Sequence, residues 1–599
     1  MIDPNKALLL LLNNVKNELF SISGAVIKAR KTRKNVIIAN LARARAGNDL
    51  SLVLQLQNNL DSINSIEIDL LGKNLPSNDP YWDFNSPGEI SNYLNHSSTE
   101  RLILLSKNNC EKEVDNICFT HFKSVFNQNI NTTSEDLTNF MEETGVHIKT
   151  LCDSDKGLLK CAFSKRELLE CISKFKSEKS TGLDGISPML LKEIVPICSE
   201  IFLECFNDNY LNGKQFDNSL KSSYIRLIPK SGKDPTTIGN WRPITIITTI
   251  NKLYCKLIYN RLEPITDKLL EEGQSAYRPS CDLSDVFLNL KITIDSYVKA
   301  KESACLLNLD FSKAFDSIGH AFIKEILGLY QFPENFINAI MGYLSNNLSC
   351  IMLDSGKMTK FFAQACGTGQ GNPLSALIFI LAVNLLLIKL NHSKLLTPIA
   401  HRLYSREKIE KRCGGYADDI GILVNKSESD LENIEKILED FGTISGLRLN
   451  KSKTELCPIN FKWEDHPSLR ERTLKSGFKL GGNKIKILGN FIFLDGQDES
   501  ETNWNNVLKK INMILLKSSQ LRLSTLNKVT IIKSFILSNI SFTARTASLN
   551  EHFLDNIRNR IITFLGFGNN KKGIFSCSDT NGLNIPCIKN ICDAILIRT

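Results

Sequence analysis

Two aspartates side by side between apolar runs, Asp418 and Asp419 in Tyr416-Ala417-Asp418-Asp419, constrain this chain more than any other feature. Gly414-Gly415 lead into them and Ile420-Gly421-Ile422-Leu423-Val424 follow as a strand, which predicts a hairpin with both carboxylates at its tip. Adjacent carboxylates repel, and a turn that presents two of them suits a divalent cation. A second apolar run, Ala304-Cys305-Leu306-Leu307-Asn308-Leu309, has the length of a buried strand and ends on Asp310. Set beside the hairpin, that strand brings three carboxylates to one sheet end. Two-metal phosphoryl chemistry needs such a set, with Mg²⁺ ions about 3.5–4 Å apart clamping the attacking and leaving oxygens. Asp316 falls on the turn that follows and is given a structural role. The competing reading of Asp418-Asp419 alone is a solvated turn.

Further blocks stand in order along the chain. Leu307-Asn308-Leu309-Asp310-Phe311-Ser312-Lys313-Ala314-Phe315-Asp316 and the Tyr416–Asp419 tetrad resemble the two metal-binding motifs of reverse transcriptases, those of non-LTR (LINE-type) retrotransposons in particular. Ile225-Arg226-Leu227-Ile228-Pro229-Lys230 and Asn240-Trp241-Arg242-Pro243-Ile244 resemble fingers motifs of the same family, and Thr181-Gly182-Leu183-Asp184-Gly185-Ile186 a block upstream of them. Gln274-Ser275-Ala276-Tyr277-Arg278-Pro279, Gly367-Thr368-Gly369-Gln370-Gly371-Asn372-Pro373-Leu374-Ser375, the Gly446–Thr454 stretch and Leu488-Gly489 complete the series.

The resemblance implies an α+β, right-hand polymerase fold (fingers, palm, thumb) with a mostly helical N-terminal extension. It implies RNA-directed DNA polymerase activity with an RNA template, a DNA primer or RNA–DNA hybrid, and dNTPs. Asp310, Asp418 and Asp419 would hold two Mg²⁺ ions, with Mn²⁺ as a substitute. Gln370 and Gly371 would line the nucleotide pocket, Phe315 would exclude a ribose 2′-hydroxyl, and Arg242 and Lys230 would meet the triphosphate. Lys453 would protonate the leaving pyrophosphate. Each has a plainer alternative: core for Phe315, a loop ion pair for Arg242, a solvated cation for Lys453. Gly369 and Asn372 depart from the family pattern, which has a basic and an acidic residue there. Two rival readings follow: a catalytically decayed retroelement-derived RNA-binding protein, and a group II intron-type enzyme.

Bulk charge decides little: 73 Lys and Arg against 64 Asp and Glu. Its distribution is more informative. Residues 1–60 carry nine basic and three acidic residues, a net of +6, and residues 505–575 carry eleven and two, a net of +9. Local excess of this kind on helices is what phosphate-backbone binding requires. It makes Lys28, Arg30, Lys31, Arg33, Lys34, Lys509, Lys510, Lys517, Arg558 and Arg560 candidate nucleic-acid contacts, against the alternative of solvated helix faces. Seventeen dispersed cysteines with no paired spacing suit a reducing compartment and give no zinc set. No signal peptide is read near Ala7–Leu12. The apolar stretch Leu374–Leu390 falls short of the ~20 residues of a span, so it is expected as a core helix of a soluble, intracellular protein, nuclear or cytoplasmic.

Four segments follow: a basic helical extension and linker (1–100), a helical approach (101–209), fingers and palm (210–495), and a helical thumb with C-terminal segment (496–599). Strands are expected near 223–229, 304–310 and 420–424. Ser429-Asp430-Leu431-Glu432 reads as a capping box opening a helix that ends at Gly442, with Leu431, Ile434, Ile437, Leu438 and Phe441 inward. Trp504, Val507, Leu508, Ile511 and Leu515 mark an amphipathic helix. Neither an endonuclease nor a zinc-knuckle nuclease is read in the chain, so a partial reading frame and a separate nuclease for integration are expected.

Overall fold

The computed structural model describes residues 3–15, 111–177, 180–230, 232–279, 281–345, 347–353, 356–397, 412–521, 523–548, 551–566 and 585–592. The chain forms two units, Met1–Trp82 and Asp83–Thr599. In the first, residues 4–15 are helical with Leu8 and Leu12 buried. The expected basic face of Lys28, Arg30, Lys31, Arg33 and Lys34, and the linker at 76–100, lie outside the described residues.

The second unit is α+β. Its strands are β1 (Ser223–Pro229), β2 (Trp241–Ile247), β3 (Ala304–Leu309), β4 (Asn347–Met352), β5 (Phe362–Gln364), β6 (Cys413–Tyr416), β7 (Asp419–Asn425), β8 (Glu455–Ile459), β9 (Lys479–Leu480), β10 (Lys484–Ile487) and β11 (Asn490–Phe493). One sheet has the order β6-β7-β3-β8-β9 and a second β2-β1-β4-β5, while β10 and β11 pair as a hairpin. The central strand β3, paired antiparallel with β7 and β8 along its two edges, is apolar except for Asn308 because side chains on both its faces are buried. The Leu283–Ala300 helix lays Val286, Phe287, Leu290 and Ile294 against Leu306, Leu423, Cys457 and Ile459. The Glu111–Phe126 helix covers the second sheet, burying Val114, Cys118, Phe122 and Phe126 with Ile225, Leu227, Trp241 and Ile351.

The Pro373–His392 helix starts at Asn372, whose side chain accepts the Leu374 amide, and Pro373 takes the first helical position. Its most apolar window satisfies the length and hydropathy of a membrane span, yet 89% of that window is buried inside the protein. Asn384 survives in this core because it bonds the Tyr330 hydroxyl and the Leu269 carbonyl. From Ser500 a helical cluster closes around Trp504, Val507, Ile511, Ile536, Ile540, Phe553, Ile557 and Ile561, with Leu508 and Leu515 at its margin.

Two boundary expectations are corrected. The helix after β7 is Glu428–Ser445 and its cap is Ser427, which accepts from the Asp430 amide, so Ser429 lies within the first turn. Ser427 is the residue with extended backbone, and Asp430 turns inward to accept from Thr397 and Asn425. The helix also passes through Gly442 to end at Gly446. A Cβ at Gly442 would meet the Leu447 carbonyl at 3.3 Å, so that glycine serves a close approach rather than a terminus.

Candidate active site

In the β6–β7 hairpin Tyr416 pairs with Asp419, leaving Ala417 and Asp418 as a two-residue turn. Such turns need positive φ, and Ala417 has φ 57. On the neighbouring strand Leu309 pairs with Ile420, so the next position on each strand sets Asp310 alongside Asp419. The backbone around Asp310 is strapped by the stretch after Gly446: the Asn450 amide donates to the Asp310 carbonyl at 2.7 Å, the Ser312 amide to Arg448 at 2.9 Å, and the Asp310 amide to the Thr454 hydroxyl at 3.3 Å. The same stretch places Lys453 Nζ 3.4 Å from Asp310 Oδ2.

The electrostatics follow from three carboxylates at one sheet end. Loss of surrounding water, then the charge of Asp310, raises the Asp418 carboxyl, with Arg242 opposing. Asp419 keeps an open face, but the protein around its carboxyl, followed by Asp418 and Asp310, pushes it up to about 6. A divalent cation would relieve this repulsion. The donor set fits one: all oxygens, with Asp310 Oδ2 buried and accepting no hydrogen bond. Among the described residues no three His, Cys, Asp or Glu side chains are gathered closely enough to hold a metal ion. An open set is compatible with Mg²⁺, which takes one or two carboxylates and fills its shell with phosphate oxygens and water.

Cations converge on the same place. Lys230 follows β1 and Arg242 projects exposed from β2. Burial, then Lys453 and Arg242, lowers the Lys230 ammonium, with Asp310 and Asp316 opposing. Asp316 is buried between Lys313 and Lys230 and pushed up to about 7 by that burial. Lys313 Nζ lies 2.9 Å from His121 Nε2. Burial, then the Lys313 charge, drops that imidazole to about 4, so it stays neutral and accepts. No motif pointed to His121, which the Glu111–Phe126 helix delivers from 192 residues away.

The glycine-rich loop packs on β2 through a hydrogen bond from the Thr245 amide to the Gln370 carbonyl, 2.8 Å. Gly371 has φ 115 and a Cβ there would stand 2.8 Å from the Thr245 carbonyl, so no larger residue fits. Gln370 is half-buried. The Phe315 ring stacks on Phe379, centroids 4.3 Å apart, and the Phe315 carbonyl accepts the Thr368 amide. Both departures from the family pattern have local reasons. Gly369 has φ 78, and Asn372 caps the helix as an aspartate would.

Two other parts of the sequence acquire roles here. Asp184 accepts the Thr249 amide at 2.9 Å and Gly182 lets the chain pass against the Thr248 backbone, so that block fastens the junction after β2. Arg261, 5% exposed, binds both oxygens of Glu167 at 2.8 and 3.0 Å, and the Cys161 and Ala162 carbonyls. The described candidate nucleic-acid contacts lie in the C-terminal helical cluster: Lys509, Lys510, Lys517 and Arg558 are exposed, while Arg560 is half-buried and donates to Asn512 at 2.5 Å.

Residues 228–492 match the reverse transcriptase (RNA-dependent DNA polymerase) family. The chain is 24% identical over 478 residues to the transposon TX1 uncharacterized 149 kDa protein of Xenopus laevis, a match covering 78% of this chain and 35% of that protein. It is 27% identical over 331 residues to the retrovirus-related Pol polyprotein from type-1 retrotransposable element R2 of Popillia japonica (53% and 44%). It is 24% identical over 264 residues to the probable RNA-directed DNA polymerase from transposon BS of Drosophila melanogaster (44% and 28%). The chain thus spans less than half the length of each of these curated relatives.

Proposed function

We propose that this chain, in which residues 228–492 form a reverse transcriptase domain of the non-LTR retrotransposon kind, is an RNA-directed DNA polymerase that extends a DNA primer along an RNA template. The observation that carries the proposal is the meeting of Asp310, Asp418 and Asp419 at one sheet end, with Asp310 Oδ2 accepting no hydrogen bond and facing only the Lys453 ammonium at 3.4 Å. In this reading the five-stranded sheet is the palm, the β2-β1-β4-β5 sheet belongs to the fingers, and the helices from Ser500 are the thumb. Element order along the chain supports that assignment.

Two divalent cations, Mg²⁺ or Mn²⁺, would supply charge neutralisation for the oxygens of in-line displacement when held by the three carboxylates. The primer 3′-hydroxyl attacks the α-phosphate of the deoxynucleotide and pyrophosphate leaves. Arg242 and Lys230 face the triphosphate as a planar donor and a point charge. Gln370, carried by a loop whose backbone is fixed on β2, lines the nucleotide pocket, and Phe315 stands against the sugar. Lys453 gives its proton to the leaving pyrophosphate. Lys509, Lys510, Lys517 and Arg558 offer the duplex a phosphate-binding surface on helices packed around Trp504.

Primer extension on poly(rA)–oligo(dT) with Mg²⁺ and dTTP tests the reading, with Asp418→Asn as the control. Extension by the wild type and its loss in the variant are expected. A folded protein that binds the duplex and extends nothing would leave an RNA-binding scaffold in place of an enzyme.

A further inference from the structure

The turn that carries Asp418 and Asp419 does not support itself. Ala417 sits in the left-handed region, where a Cβ crowds the following carbonyl, and something must hold it there. Its amide donates to the side-chain Oε1 of Gln274 at 3.1 Å, across 143 residues of sequence. The same oxygen accepts the Ala276 amide at 3.1 Å, and Gln274 is fully buried. Two N–H donors converging on one atom fix the orientation of the side-chain amide, because the flipped form would point its own N–H₂ at both.

The backbone on either side is docked as firmly. The Gly415 amide donates to the Gly273 carbonyl at 2.8 Å and the Ser275 amide to the Gly415 carbonyl at 3.1 Å, so residues 273–275 run along the outer edge of β6. Gly273 permits this approach, since a Cβ there would stand 2.9 Å from the Cys413 carbonyl. Arg278 closes the segment from behind through Asp267 at 2.5 Å and the Gln274 carbonyl at 3.2 Å.

We propose that Gln274 is a positioning residue for the carboxylate turn: its Oε1 pins the Ala417 amide and so fixes how Asp418 and Asp419 are presented beside Asp310. The cation affinity of the site then depends on a side chain that is not itself a ligand. This rests on reading the three carboxylates as a divalent-cation site, and the test separates the two claims.

Mn²⁺ binding to the full chain, followed by electron paramagnetic resonance, is compared for wild type, Asp418→Asn and Gln274→Met, which keeps the volume and removes the acceptor. Wild type is expected to bind and Asp418→Asn to bind far more weakly. Gln274→Met should bind about tenfold more weakly than wild type because, of the two amides that lose their acceptor, the one at Ala417 holds the turn. Its melting temperature should fall, because two buried amides lose their acceptor, while its affinity for an RNA–DNA duplex should stay the same and its extension rate should recover as Mg²⁺ is raised. Wild-type Mn²⁺ affinity in a folded Gln274→Met overturns the positioning role alone. Wild-type binding no stronger than that of Asp418→Asn overturns the cation site and the positioning role with it. If Gln274→Met does not fold, Gln274→Asn withdraws the oxygen by one methylene and carries the same expectations.

Discussion

Replacing Phe315 by alanine asks how the site tells a deoxynucleotide from a ribonucleotide. The Phe315 ring lies on Phe379 with centroids 4.3 Å apart and 27° between planes, and Phe379 is fully buried. A ring backed in this way cannot yield to an additional oxygen without displacing a core side chain. Overpacking of that kind costs about 1–3 kcal/mol, which corresponds to roughly a 5- to 150-fold preference in kcat/KM. Phe315→Ala should lower the ratio of kcat/KM for dTTP over rUTP by that factor while changing dTTP use much less. Phe379→Leu keeps the obstacle but loosens its backing, and should lower the ratio by a smaller factor. The assay is single-nucleotide extension on poly(rA)–oligo(dT) over a range of each nucleotide, with thermal melting to confirm that the variants fold. A Phe315→Ala enzyme that extends with dTTP and keeps the wild-type ratio would refute the reasoning, because the ring would then not face the sugar.

Glu167→Ala should destabilise the second unit by about 3 kcal/mol, the lower end for stranding a buried charge, since Glu167 is one-third exposed while Arg261 is not; an unchanged urea midpoint would contradict this, and Glu167→Gln should lose less. Asp282, held down to about 2 chiefly by its hydrogen bond to Arg545, ties the Leu283–Ala300 helix to the C-terminal cluster. Because its folded value lies below the unfolded one, its stabilisation is complete above about pH 4 and is lost as pH falls towards 2. Arg545→Met should therefore flatten the stability loss between pH 4 and 2 and cost about 1 kcal/mol at pH 7 after allowing for the exposure of Asp282; a parallel acid limb in urea titrations would count against the pairing.

What could be read from the residues, and what could not, divides along range in sequence. The strands at 223–229, 304–309 and 419–425 were legible because each is a short apolar run bounded by turn residues. The Pro373 helix start and the inward stripe from Leu431 to Phe441 were legible from local pattern too. The misplaced cap at Ser429 and end at Gly442 have a different origin. Two serines two residues apart both qualify as caps, and a helix glycine can mark a close approach as readily as an end. His121 beside Lys313, Glu167 beneath Arg261 and Gln274 under Ala417 were out of reach, since each pair spans 94 residues or more and only the fold brings them together. Asn372 read as a flaw in a motif and is a helix cap.

The Pro373–His392 helix has a consequence for how this protein is made. Its apolar surface is hidden by the Thr249–Leu269 helix, which leaves the ribosome before it, and by β6 and the Glu428–Ser445 helix, which leave after it. Until synthesis passes Ser445, a segment as greasy as a bilayer span waits with part of its cover missing. Such an intermediate is sticky, and its lifetime is set by elongation at roughly 5–20 residues per second. Slow codons between the helix and its late partners would prolong that exposure, and chaperone capture would concentrate in the same window.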